Sequence, residues 1–200
     1  MRNGAMPRSS DVTIAVLSGG AGSRFGGRDK GLQSLCGRPL IAHVVERLRP
    51  QAGSILVCVN RNAAEYAAYA PVCSDGGAPF RGPLAGIVAA LDTCSTPWLV
   101  TAPVDSPLPP RDLVARLLQA AMRSSVDCAV AHDGERRQPL FALYSRRMQA
   151  CARQALADDL AVWRWQSGSG AVDVDFADAR EAFANLNRAQ DFERWEQRHG

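Results

Sequence analysis

The residues best placed to do chemistry lie between Leu17 and Lys30, a stretch that carries Gly19, Gly20, Gly22, Gly26 and Gly27. It follows an apolar run, Thr13 to Leu17, that reads as a buried strand. Without a Cβ, glycine lets backbone N–H groups turn inward and approach a ligand closely. Arg24 and Lys30 add positive charge beside them. A polyanion such as a nucleoside triphosphate suits that combination. Leu17, Ser18, Gly19, Gly20 and Lys30 are therefore candidate nucleotide contacts, and Arg24 and Lys30 candidate catalytic cations.

Two familiar phosphate loops are excluded by spacing. A P-loop needs Gly-x-x-x-x-Gly-Lys-Ser/Thr, but Arg28 follows Gly27 and Gly31 follows Lys30, so the metal-binding hydroxyl is missing. The dinucleotide fingerprint needs Gly-x-Gly-x-x-Gly and an acid about 20 residues onward. Read from Gly20, its third glycine falls on Phe25, and Glu46 lies within an expected helix.

The next carboxylate of interest is Asp105. An apolar strand, Trp98 to Ala102, runs toward it, and Pro107 prevents the strand from continuing. Ligands of parallel α/β sheets gather at the carboxyl ends of strands, which puts Asp105 near the glycine stretch. A hard cation such as Mg²⁺ prefers one or two carboxylates plus substrate phosphates, so Asp105 is both a catalytic and a metal-binding candidate. An aspartate beginning a turn is the plainer alternative.

The full pattern, from Gly19-Gly20 through Arg24, Gly26-Gly27 and Asp29-Lys30-Gly31-Leu32, resembles the signature of the nucleotidyltransferase family. Its paired glycines before Asp29-Lys30 are most similar to the MobA-type molybdenum cofactor guanylyltransferases. The resemblance runs from about Thr13 to Gln197. It implies transfer of GMP from GTP to molybdopterin with release of pyrophosphate, and Mg²⁺ on the aspartate of the Asp105-Ser106-Pro107 element. The product would pass to an acceptor molybdoenzyme or a cofactor-handling protein. Cytidylyl transfer to the same acceptor, transfer to a sugar phosphate, and a non-catalytic nucleotide-binding adaptor are the alternatives.

The resemblance extends to further residues. Asp75, followed by Gly82-Pro83-Leu84, matches a segment that wraps base and ribose. Where the family places an asparagine near the end of its second strand, this chain has Cys58, with Asn60 two residues on. A thiol cannot supply an amide's paired donor and acceptor, so either Asn60 substitutes or the contact is lost. Asn185 and Asn187, alternating on an extended segment, can face one ligand, and the resemblance turns them toward the acceptor or the metal. Asn187 also stands where the last helix needs an N-cap, with Gln190 three residues later as in a capping box; for Asn187 that role is the stronger expectation. Arg136 and Arg137 suit an acceptor phosphate, although a solvated charged loop explains them equally well.

These groups need a scaffold. With 200 residues and 46% apolar content, the chain suits one core. The expectation is an extension over 1–11 that is disordered, then a single domain over 12–200. Apolar strands at Thr13–Leu17, Ser54–Val59 and Trp98–Ala102 alternate with helices at Leu40–Leu48, Ala63–Tyr69, Leu84–Leu91 and around Leu113–Leu118. That order predicts an α/β fold, a mostly parallel sheet with helices on both faces. With the resemblance it becomes a three-layer Rossmann-like sandwich. Later segments at Val126–Ala131, Pro139–Tyr144, Met148–Leu156 and Val172–Phe176 are expected as strand, strand, helix and strand. Asp133-Gly134 is expected as a hairpin turn or a wide loop.

A net charge of +3 and scattered basic residues argue against nucleic-acid binding. No run reaches the ~20 apolar residues that span a bilayer, and no secretory signal is evident. The six cysteines form no Cys-x-x-Cys pair and read as reduced thiols of a cytoplasmic protein.

Overall fold

The computed structural model describes residues 7–19, 29–74 and 82–199. Seven strands form the main sheet: β1 (Val12–Ser18), β4 (Ser54–Val59), β5 (Val72–Ser74), β6 (Trp98–Pro103), β7 (Cys128–His132), β8 (Arg137–Ser145) and β9 (Val172–Asp175). A small hairpin, β2 (Ser34–Leu35) with β3 (Arg38–Pro39), stands apart. The helices are α1 (Leu40–Leu48), α2 (Ala63–Ala67), α3 (Pro83–Thr93), α4 (Leu113–Ser124), α5 (Gln149–Ala157), α6 (Val162–Gly168) and α7 (Ala189–His199).

The sheet order is β5-β4-β1-β6-β8-β7-β9. Only β8 runs antiparallel to its neighbours β6 and β7. The mostly parallel sandwich predicted from the alternation is therefore the observed fold. Side chains of β1 sort by strand periodicity. Ile14 and Val16 join the core layer shared with α1 and α4, whereas Ala15 and Leu17 join the layer under α3, α5 and α6. Strands buried on both faces read as unbroken apolar runs, which is why β1, β4 and β6 were visible in the sequence.

The chain leaves β1 for β4 on one side and later places β6 on the other. This reversal is a topological switch point, where ligands of open α/β sheets bind. The carboxyl ends of β1 and β6, paired side by side, both lie there. Pro103 helps end β6. Pairing with β8 stops at Thr101 opposite Ala142, while Val104 N still donates to Leu17 O at 3.0 Å. A proline in a sheet is tolerated where no ladder donor is needed, and here the chain turns away and presents Asp105.

Some expectations change. Ser9–Asp11, assigned to the extension, form a 3₁₀ turn packed on the domain. Gly53 N donates to Ser9 O at 2.6 Å, and a Cβ on Gly53 would lie 2.7 Å from Ser10 Cα. The helix α6, the short β5 and the β2–β3 hairpin have too few residues to show a period. Asp133-Gly134 opens a true hairpin turn, with Gly134 at φ 94° and Asp133 N donating to Arg136 O at 3.0 Å. Among the described residues no helix is long and apolar enough to cross a membrane.

Candidate functional site

Three separate segments converge at the switch point. Lys30 Nζ donates to Asp105 Oδ2 at 3.0 Å and to Asn187 Oδ1 at 2.6 Å. Lys30 lies on the short 3₁₀ turn Lys30–Leu32, Asp105 follows β6, and Asn187 precedes α7. Both members of the ion pair are about one-fifth exposed, at 21% and 22% of their side-chain surface. Leu186 N donates to Asp105 O at 2.8 Å, so the segment of the two asparagines is pinned to the aspartate by backbone. Leu186 itself anchors in a small apolar cluster with Leu35, Leu40 and Phe192.

Asp105 is half satisfied. Its Oδ2 faces the Lys30 ammonium, but its buried Oδ1 has no hydrogen-bond partner among the described residues. A buried polar atom without a partner is costly and asks for an explanation, an ion among them. Among the described residues no three His, Cys, Asp or Glu side chains cluster as a metal cage. A single carboxylate with a free oxygen is the donor set that suits Mg²⁺ arriving with a phosphate ligand.

The asparagines divide their tasks. Asn185 is exposed, and its Oδ1 accepts from the buried Ser106 hydroxyl at 2.7 Å. Each asparagine thus has its carbonyl oxygen engaged beside Asp105, and among the described residues its NH₂ group is left as the donor to offer a ligand. The capping role expected for Asn187 is not observed. Helix α7 begins at Ala189, and Asp191 rather than Gln190 turns back, accepting from Asn187 N at 2.8 Å and Arg188 N at 2.7 Å. A carboxylate carries charge toward the helix N-terminus, which releases the Asn187 amide for Lys30.

Of the two second-strand candidates, Cys58 is 3% exposed in the core layer beneath α3. Asn60, at the open end of β4, is half-buried, and its buried Oδ1 has no partner among the described residues. The geometry therefore favours Asn60 as the polar contact. Leu17 has its carbonyl occupied by Val104, and the Ser18 hydroxyl donates to Tyr66 Oη at 2.6 Å. The Ser18 side chain is thus engaged inward, not toward a phosphate. Gly19 is exposed at the end of β1. Gly20, Arg24 and Asp75 lie outside the described residues.

On the far side of the sheet, the hairpin arginines part company. Arg136 is largely exposed, with Asp133 at 3.9 Å. Arg137, left open between an acceptor phosphate and a solvated loop, is instead a structural tie. Its guanidinium pairs with Asp173 on β9, donates to Ser167 Oγ at 3.0 Å and reaches Ala171 O at 3.3 Å. Tyr66 and the side chain of Asp29, which meet beside Ser18, carry no signal of that meeting in the sequence. A lone tyrosine on a five-residue helix carries no pattern, and the side chain of Asp29 takes its meaning only from partners distant in sequence.

Residues 14–172 match the family described as the MobA-like NTP transferase domain. The chain belongs to that family. A Cupriavidus necator protein named molybdenum cofactor guanylyltransferase is 44% identical over 188 residues, covering 88% of this chain and 92% of its own length. The Vibrio cholerae protein of the same name is 43% identical, covering 91% and 90%. Among solved structures, molybdopterin-guanine dinucleotide biosynthesis protein A from Archaeoglobus fulgidus superposes with a TM-score of 0.77 at 24% identity, covering 92% of this chain and 97% of the other. The 2-C-methyl-D-erythritol 4-phosphate cytidylyltransferase of Thermus thermophilus gives 0.66 at 21% identity, covering 93% and 96%. These two likenesses concern the fold. The MobA-like fold thus carries its convergent Lys30, Asp105 and Asn187 at the switch point of the sheet.

Proposed function

We propose that this MobA-like chain transfers GMP from GTP to the terminal phosphate of molybdopterin and releases pyrophosphate. The observation that carries the reading is the half-satisfied Asp105, held against Lys30 at the switch point. Relatives named molybdenum cofactor guanylyltransferase, matched over nearly their whole length, support the choice of nucleotide and acceptor.

An oxygen of the acceptor phosphate forms a bond to the α-phosphorus, the α–β bridging bond breaks, and its electron pair leaves with pyrophosphate. A phosphate monoester has its second pKa near ~6, so it is mostly dianionic at neutral pH and needs no general base. The obstacle is repulsion between anions. Asp105 would hold Mg²⁺, which when bound supplies Lewis-acid shielding of the phosphates. Lys30, seated between Asp105 and Asn187, is a point charge on a flexible stem and can move to the phosphates. Arg24 and the N–H groups of the glycine stretch would stabilise the departing pyrophosphate. Asn60 and Asp75 would contact the nucleoside, and the NH₂ groups of Asn185 and Asn187 the acceptor side.

Pyrophosphate release measured with GTP, CTP and UTP, each with Mg²⁺ and molybdopterin, tests this. Turnover with GTP alone supports guanylyl transfer. Turnover with CTP contradicts the base assignment, and tight GTP binding without turnover leaves only a nucleotide-binding adaptor.

A further inference from the structure

Tyr66 is wholly buried, yet its hydroxyl is the centre of a polar chain. Ser18 Oγ donates to Tyr66 Oη at 2.6 Å, and Tyr66 Oη donates to Asp29 Oδ1 at 2.5 Å. Asp29 is held in turn. Gly31 N donates to Oδ1 at 3.2 Å, Asn62 Nδ2 donates to Oδ2 at 3.1 Å, and Arg61 Nε stands 3.5 Å from Oδ2.

The positions of the two partners give this chain its meaning. Ser18 is the last residue of β1, just before the glycine stretch, and Asp29 caps the turn that follows it. One phenol on α2 therefore joins the two ends of that stretch, and Lys30 is the next residue. Gly31 makes room for it. A Cβ there would lie 2.3 Å from Tyr66 Oη and 2.9 Å from Ser18 Oγ, distances that real side chains do not adopt. The glycine of Asp29-Lys30-Gly31 thus serves the close approach of the phenol.

We propose that Tyr66 is a positioning residue, clamping both ends of the glycine stretch so that Lys30 stands at Asp105 before the nucleotide arrives. The proposal rests on the reading of this stretch as the nucleotide site. Holding Lys30 at Asp105 in advance removes an ordering cost that binding would otherwise meet. Burial and then the Asp29 carboxylate push the Tyr66 hydroxyl well above the usual tyrosine range. The phenol keeps its proton, and the clamp keeps its donor, throughout neutral and mildly alkaline conditions.

The test compares Tyr66→Phe with Tyr144→Phe. Tyr144 is equally buried, but its hydroxyl accepts from Gln166 Nε2 at 2.7 Å in the core beside α6. Steady-state pyrophosphate release, equilibrium binding of Mg²⁺-GTP and thermal unfolding are measured for both. Loss of the Tyr66 hydroxyl is expected to raise the KM and Kd for GTP about tenfold, as one or two lost hydrogen bonds allow, with kcat changed less than about threefold. Tyr144→Phe is expected to lower Tm while leaving KM unchanged. Gly31→Ala should weaken GTP binding more than Tyr66→Phe. Adding Tyr66→Phe to Gly31→Ala should then restore part of the loss, because the clashing oxygen is gone. A Tyr66→Phe variant with wild-type KM and Kd overturns the clamp, as does an equal rise in KM from both tyrosine variants. Failure of the wild type to bind GTP overturns the functional reading, and the clamp with it.

Discussion

Two aspartates stand at matching places in this sheet and do opposite things. Asp105 follows β6 and Asp133 follows β7, and the two strands run the same way on either side of β8. Asp133 is saturated. It accepts from Glu135 N at 2.9 Å, Arg136 N at 2.8 Å and Gln138 Nε2 at 2.5 Å. Burial works against its charge, but those donors outweigh it and hold the carboxyl below the usual carboxylate range. Among the described residues, Asp105 has one ammonium on one oxygen and no partner on the other. The difference teaches where to look for function at the rim of such a sheet. A carboxylate that closes its own turn maintains structure, whereas one kept incomplete beside a cation is available to a ligand.

Substitutions that remove each charge in turn should separate the two roles. Asp105→Asn should lower kcat for pyrophosphate release by about 10²–10³, the scale of losing one well-placed electrostatic group, with Tm nearly unchanged. Near-normal turnover would remove Asp105 from the site. Lys30→Ala should weaken GTP binding and rate together, by about tenfold to a hundredfold in kcat/KM, in the range of a lost charge-assisted contact. An unchanged rate would make the Lys30–Asp105 pair merely structural.

On the other side of the comparison, Asp133→Asn should cost about 1–3 kcal/mol of stability, the worth of hydrogen bonds to a charged group, and leave the KM for GTP alone. Its pH dependence has a definite sign. A carboxyl whose pKa is depressed by folding stabilises fully above its unfolded value, about 3.9, and that contribution disappears as pH falls below it. The gap in stability between wild type and Asp133→Asn should therefore close in acid, and a gap that is constant with pH would contradict the role. The smallest effect is expected from the exposed Arg136. Arg136→Ala should raise the KM for the acceptor a few-fold through loss of one surface charge on a phosphate. A change confined to GTP would reverse the orientation proposed for the site.

Much of this was legible in the chain because the signals were local. Unbroken apolar runs located β1, β4 and β6, although β6 ends at Pro103, before the Pro107 that the sequence pointed to. The glycines with Lys30 suggested a polyanion without any fold, and the structure brings Lys30 to Asp105. What was not legible depended on distant partners. Asn187 satisfied every local rule for a helix cap, yet Asp191 took that task and Lys30 claimed the amide. Arg137 resembled a phosphate ligand until Asp173, far along the chain, was seen to hold it. Cys58 and Asn60 could be separated only once the strand showed which of them faced the core.

The most direct test of the contrast between the two aspartates is titration of Mn²⁺, a paramagnetic stand-in for Mg²⁺, into the protein with GTP, followed by electron paramagnetic resonance. Wild type and Asp133→Asn are predicted to bind the ion with the nucleotide, and Asp105→Asn to lose that binding while remaining folded. Wild-type Mn²⁺ binding in Asp105→Asn would contradict the account.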